Sequence, residues 1–277
     1  MIQTKTIAAR LVAGARIAIA GGALVAALAL GVNTLAPKPA AASAPVSVDA
    51  RYRVSYGMMK VGELKTSTRI SGNRYSVKGK FESGGVARLM SKTSGTAKGE
   101  GRIGKKGLEP SRFSLSYRSG KKKRSRSIAF KGDKVAKVKM SPKKKRKNWV
   151  PVTADQLAGV LDPAGGFVVA GKGPVCGRTL RAFDGEMRID VKMRPRSTRP
   201  FKTKGFKGRS EVCSLGFEPV AGFKKGKSTV RKIRELRGAE AEFVALPGTD
   251  AYQLVRLTVP TSYGKVTARA TSFKVKG

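Results

Sequence analysis

CGRTLRAFDGEMRIDVKM, residues 176–193, and FKGRSEVC, residues 206–213, bracket the stretch whose reading decides the fold. Thr179–Phe183 and Glu186–Met193 are strand-like flanks around Asp184-Gly185. That dipeptide suits the two positive-φ positions of a type I′ turn, so a hairpin is predicted there. Cys176 and Cys213 are the two cysteines of the chain and, if joined, close a loop of 38 residues. The chain-entropy model assigns such a closure about 4 kcal/mol, a large share of ordinary domain stability. A bond of that size holds a fold together and names no activity.

Outward from this hairpin the alternation continues. Val46, Val48, Tyr52, Val54 and Tyr56 largely keep a period of two, Gly72-Asn73 reads as a turn, and Tyr75, Val77 and Phe81 resume the alternation. FSLSYRS and then SIAF-KGD-KVAKVKM predict further strands and a local hairpin, and GGFVVAGKG predicts a short buried strand leading into Cys176. The end reads as a terminal hairpin, with Leu254, Leu257 and Val259 opposite Val266, Ala268 and Ala270. One helix is expected in VPVTADQLAGVLDP. There Thr153 and Gln156 form a capping box, Val152 and Leu157 a hydrophobic staple, and Asp162-Pro163 a stop. A helical turn is expected at GGVARLMSK, where Val86, Leu89 and Met90 share a face. Ser228–Leu236, with β-branched Thr229, Val230 and Ile233, is read as strand, with helix as the alternative. Many short strands with Gly-rich turns and one or two short helices predict a mainly β, antiparallel sheet protein.

The N-terminus runs from Lys5, Arg10 and Arg16 through an apolar run, Ile17–Val32, to the small residues of PAAASAP. Positive, then apolar, then small is the order of a secretory leader. Cleavage is expected after Ala42, giving a leader at 1–42 and a single β-rich periplasmic domain at 43–277. The apolar run is 16 residues, short of the roughly 20 that a spanning helix needs. The alternative is a retained anchor in the inner membrane with the domain facing the periplasm. The leader holds Lys5, Arg10, Arg16 and Lys38 and no acid, which leaves 54 basic and 17 acidic residues, a balance of +37. A field of that sign attracts anions and strains the compact state by self-repulsion. In an exported chain the anions within reach belong to the envelope, nucleic acid is not expected, and two cysteines in an oxidising compartment are expected to pair.

The order of YRVSYGMMKVGEL, PVTADQLAGVLDPAG, CGRTLRAFDGEMRIDV, GRSEVCSLGFEPVAGF and RLTVPTSYGKVTARAT, over about Tyr52 to Phe273, resembles a family of exported bacterial proteins described as domain of unknown function 3108. The resemblance implies a periplasmic, mostly antiparallel β domain curved like an open barrel, with the two cysteines bridged. It carries no reaction onto any residue.

The sharpest chemical features are two basic runs: Lys121, Lys122, Lys123, Arg124 and Arg126, and Lys143, Lys144, Lys145, Arg146 and Lys147. They flank the SIAF-KGD-KVAKVKM hairpin and are expected to gather at one end of it, where they would hold anionic envelope lipids or acidic polymers. Trp149 beside the second run suits a base or a membrane interface. The plain alternative is a pair of solvated loops. GEGRIG at 99–104 spells a dinucleotide fingerprint, but KKGLEPSRF follows where a helix must start, so no nucleotide is expected. The Ser-x-x-Lys spellings at 119–122 and 141–144 lack both a helix and a partner motif.

The chain has no histidine, which removes the commonest general base and metal ligand, so neither metal nor cofactor is expected. Asp184, Glu186 and Asp190 invite an acid/base reading, against ion pairing with Arg181, Arg188 and Lys192. The expected function is therefore a non-enzymatic binding protein of the envelope, with a carrier of lipid or another apolar ligand inside an open barrel as the alternative. An enzyme is the remotest reading.

Overall fold

The computed structural model describes residues 44–85, 87–88, 92–143, 147–261 and 264–277. The expected leader, Lys144, Lys145 and Arg146 of the second basic run, and Val86, Leu89 and Met90 of the expected helical turn lie outside them.

Fourteen strands form one sheet. The first meander comprises β1 (Val46–Tyr56), β2 (Met59–Ser71), β3 (Arg74–Ser83), β4 (Thr93–Gly104), β5 (Gly107–Ser119), β6 (Lys122–Lys131) and β7 (Lys134–Ser141). After an irregular stretch come β8 (Val168–Ala170), β9 (Thr179–Phe183), β10 (Arg188–Thr203) and β11 (Phe206–Ala221). The helix α1 (Ser228–Arg234) follows, then β12 (Ala239–Ala245), β13 (Ala251–Thr261) and β14 (Gly264–Lys276). The order across the sheet is β7-β6-β5-β4-β3-β2-β1-β14-β13-β12-β11-β10-β9, with β8 beside β13. Two antiparallel meanders are thus joined where β1 pairs with β14. The period-two alternation makes this arrangement stable, because the strands of the first meander offer one apolar face to a shared interior and one polar face to water, whereas β8 and most of β12 are buried on both faces.

The apolar faces of β1 to β6 and of β13 and β14 bury Val48, Tyr52, Val77, Phe113, Ile128, Val255 and Phe273 in one core. Val160, Ala164 and Val168, from the irregular stretch and β8, fill it from within the curve. A second cluster surrounds the disulfide between Cys176 and Cys213 and includes Met193, Phe243 and Leu254. Fully burying a Val or Phe side chain contributes roughly 1.5–3 kcal/mol, so these rows set the inside of the sheet.

The sheet is open, and a short strap spans its two edges. The Gly159 N–H donates to the Asp133 carbonyl beside β7, and the Leu161 N–H to the Arg181 carbonyl in β9. Bridges Lys134 to Ala158 and Leu161 to Ala182 mark the same crossing. Among the described residues no helix is long and apolar enough to cross a membrane.

Three expectations are corrected. The helix predicted over residues 153–162 is one 3₁₀ turn, Asp155–Leu157. Its capping box forms, with Thr153 N–H donating to Gln156 Oε1 at 3.1 Å and Gln156 N–H to Thr153 Oγ1 at 3.4 Å. The chain then turns extended at Ala158, and Gly159 takes φ +63°, because the strap must leave along β7 and β9. Ser228–Arg234, read as strand, is helix. Val230 and Ile233 are its half-buried residues and half-buried Leu236 follows just past its end, Arg231, Lys232 and Arg234 complement the dipole at its C-terminal end, and Arg234 pairs with Glu218 at 2.9 Å. Asp184-Gly185 is not a two-residue turn. The connection runs from Asp184 to Met187, held by Asp184 Oδ1 accepting from the N–H groups of Glu186 and Met187, an Asx-type turn that competes with type I′.

Candidate functional site

The polar face of β14 and β1–β7 carries a hollow of about 1340 Å³. Alternation in β14 identifies the face: Ser272, Lys274 and Lys276 line the hollow, whereas the intervening Phe273 is fully buried in the core. Registers then align two rows across the strands. One runs Lys274, Asp49, Ser67, Lys78, Lys98, Ser114, Ser127 and Lys139; the other runs Ser272, Arg51, Lys65, Lys80, Thr96, Ser116, Ser125 and Ser141. Between them lie the backbones of Ala50, Thr66, Gly79, Ala97, Leu115, Arg126 and Met140, whose side chains take the opposite face.

The β10–β11 hairpin tip adds a ninth cation to this face. The Phe273 N–H donates to the Lys204 carbonyl at 2.9 Å, and Phe201, Phe206 and Phe273 pack below, with Phe206 and Phe273 ring centroids 5.1 Å apart. Lys204 thereby lies beside Ser272 at the rim.

Within the rows, like charges stand directly opposite each other: Arg51 faces Lys65, Lys65 faces Lys80, and Lys78 faces Lys98. Neighbouring strands are about 4.8 Å apart, so this ladder is repulsive. Glu82 accepts from Lys80 at 2.9 Å, holding that ammonium above its ordinary pKa while its own carboxyl is held below the usual range. Glu100 pairs with Lys98. Asp49 is the one carboxylate in the lining.

The register Ser125 to Ser141 sets the two basic runs at the same end of the β6–β7 pair. Lys121, Lys122, Lys123, Lys143 and Lys147 are exposed and Arg124 is half-buried. Ser125 and Ser141 belong to the trough, so the described part of the runs borders its far end. Arg126 departs from the group. Its side chain is 19% exposed and turned to the core face, where it binds Asp184 and reaches Glu186 at 2.9 Å. That correction follows from strand alternation, which puts Arg126 on the same face as Ile128. Trp149 is half-buried and bridged through its backbone to Lys224.

The carboxylates singled out from sequence are ion-paired. Arg126 takes Asp184 and Glu186, and Arg188 takes Asp190 while donating to the Gln156 carbonyl at 3.0 Å. Of the expected partners Arg181, Arg188 and Lys192, Arg188 is the one found in these pairs among the described residues, and Arg126 was not foreseen. GEGRIG lies within β4, and its glycines provide clearance: a Cβ on Gly99 would stand 2.6 Å from Ala164 Cβ and 2.9 Å from Asp162 Oδ1. Arg178 was missed by the sequence reading. Its guanidinium donates to the carbonyls of Ala170, Gly171, Lys172, Gly173 and Pro174 and shapes the loop before Cys176. No group of three His, Cys, Asp or Glu placed to hold a metal occurs among the described residues.

The model of the family described as protein of unknown function DUF3108 matches residues 51–271. No curated protein matches the chain. Among solved structures, the chain is similar to a β-barrel-like protein of domain of unknown function DUF1849 from Brucella abortus, at 10% identity over 84% of this chain and 98% of that chain, with a TM-score of 0.49.

Proposed function

We propose that this chain, which belongs to the DUF3108 family of proteins of unknown function, is a non-enzymatic envelope protein that holds anionic envelope material against the polar face of its sheet. The carrying observation is the trough, where nine Lys and Arg side chains share one concave face with the single carboxylate of Asp49. The exposed cations of Lys121–Lys123, Lys143 and Lys147 extend the positive field beyond its β6–β7 end. Such a surface draws in phosphate or carboxylate groups, and its hold must weaken as salt screens it over roughly 8–10 Å. The leader-like N-terminus supports an envelope setting, where lipid phosphates and acidic polymers would be in reach.

The apolar-carrier reading has less behind it. The core-facing rows are filled by Val48, Tyr52, Val77, Phe113 and Ile128, and the hollow lies on the other face. The test is binding of the chain from Ser43 onward to long-chain polyphosphate, to phosphatidylglycerol vesicles and to neutral phosphatidylcholine vesicles over a salt series. Binding to an anionic probe alone, fading as salt rises, is the expected outcome. Failure to bind either anionic probe at about 50 mM salt overturns the reading.

A further inference from the structure

We infer that the ligand of the trough is a single extended chain of a linear polyanion bearing repeated phosphate or carboxylate groups. The inference rests on the anion-binding reading and goes beyond it in choosing polymer over lipid surface.

Three features carry it. First, the cations are serial. Arg51, Lys65 and Lys80 occupy facing positions on three successive strands, repeating at the strand spacing of about 4.8 Å. One phosphate meets one or two of them, whereas a chain following the ladder meets all three. Second, they line a hollow. The rows flank a strip of backbone and are two residues apart along each strand, roughly 7 Å. A bilayer is planar and reaches the rims of a hollow, and a nucleic acid duplex, with a major groove alone about 12 Å wide, is too broad for the strip. A single polymer strand fits. Third, the trough is graded. Cations dominate from β14 to β4, and Ser114, Ser116, Ser125, Ser127 and Ser141 dominate from β5 to β7 before Lys139. Hydroxyls donate to anionic oxygens without adding repulsion, so a chain held by charge at one half is hydrogen-bonded along the other.

The free ladder is also costly. Facing like charges destabilise a sheet, and within Arg51, Lys65 and Lys80 a short ion pair is made by Lys80, with Glu82. A polyanion removes that repulsion as it binds, which a ligand with one charge does only in part.

The experiment compares wild type, an Arg51→Gln/Lys65→Gln/Lys80→Gln variant and a Lys121→Gln/Lys122→Gln/Lys123→Gln variant. The probes are long-chain polyphosphate, tripolyphosphate and phosphatidylglycerol vesicles at about 50 mM salt. Long-chain polyphosphate is expected to bind wild type at least ~100-fold more tightly than tripolyphosphate, through avidity along the ladder. The ladder variant is expected to lose ~10-fold or more in affinity, while the loop variant stays within ~3-fold. All substituted positions are exposed, and single Lys65→Gln must weaken binding in the same direction, which guards against a folding artefact. Equal loss in the two triple variants, or none in the ladder variant, overturns the trough while leaving anion binding intact. Vesicle binding with no preference for polyphosphate over tripolyphosphate overturns it in favour of a lipid surface. Absence of binding to every anionic probe removes both this inference and the reading beneath it.

Discussion

Asp162 is 1% exposed, and its Oδ1 accepts from the N–H groups of Ala164 at 2.8 Å and Gly165 at 3.2 Å. Its Oδ2 is buried without a hydrogen-bond partner among the described residues. Burial pushes the carboxyl up from 3.8 to about 6, and the two N–H donors offset only part of that. Burial, and then the Asp162 charge, raises the neighbouring Tyr75 hydroxyl as well. A carboxyl raised in the folded state binds its proton more tightly there than in the unfolded chain. Its protonation therefore contributes stability that is fully present below pH 3.8 and is lost as pH rises through about 6. Asp162→Asn keeps an acceptor at the cap and does not titrate. Urea unfolding of both proteins should show wild type losing about 2–3 kcal/mol relative to the variant between pH 4 and pH 7. Parallel stability curves across that range would remove the buried carboxyl from the account. The same residue explains a misleading spelling: Gly99 is glycine because the Asp162–Ala164 turn rests on it.

At the scale of elements, the disulfide ties the loop before β9 to the middle of β11, which pairs there with both β10 and β12. Cys176→Ser opens a loop of 38 residues and should cost about 2–5 kcal/mol, read as a lower denaturation midpoint with a steeper slope, because the unfolded chain without the cross-link is less compact. A variant midpoint equal to that of the disulfide-bonded wild type would show that Arg178 and the loop carbonyls hold this region unaided. The strands were legible because alternation is local. Lys65 facing Lys80 was legible too, since the two-residue turn Gly72-Asn73 fixes every pairing of β2 with β3. Arg51 facing Lys65 was not, because a bulge between Val54 and Ser55 shifts the register by one. Lys78 facing Lys98 depends on a connection without a turn signature. The trough was therefore invisible as a motif, each strand contributing one or two isolated lysines, while the compact basic runs drew attention at its border. The failed helix at residues 153–162 follows the same division: its capping box is local and formed, whereas the strap that ends it is a contact between distant sheet edges.

For the whole molecule, a balance of +37 on residues 43–277 means that folding gathers repelling charge which the unfolded chain spreads over a larger volume. The repulsion is concentrated where facing strands carry like charges, in the trough and also at Arg53 facing Arg269 and Arg256 facing Arg269. Desolvation, followed by the influence of Arg269 and Arg199, lowers the Arg256 pKa against the opposing pull of Glu242. Ordinary salt should therefore stabilise this protein, the reverse of the loss expected where surface ion pairs dominate. Raising sodium chloride from about 20 to 200 mM should raise the melting temperature by several degrees. Sulfate at equal ionic strength also acts by exclusion from the surface, so sodium chloride is the cleaner probe of screening. A polyanion that occupies the trough adds a binding contribution of about 2.7 kcal/mol at a hundred times its dissociation constant. In the Arg51→Gln/Lys65→Gln/Lys80→Gln variant the salt response should shrink, because part of the repulsion that salt relieves is already gone. Differential scanning calorimetry of wild type and variant in the two salts decides the matter: a melting temperature that is flat or falls with sodium chloride in wild type would show that the positive charge is spread too thinly to strain the fold.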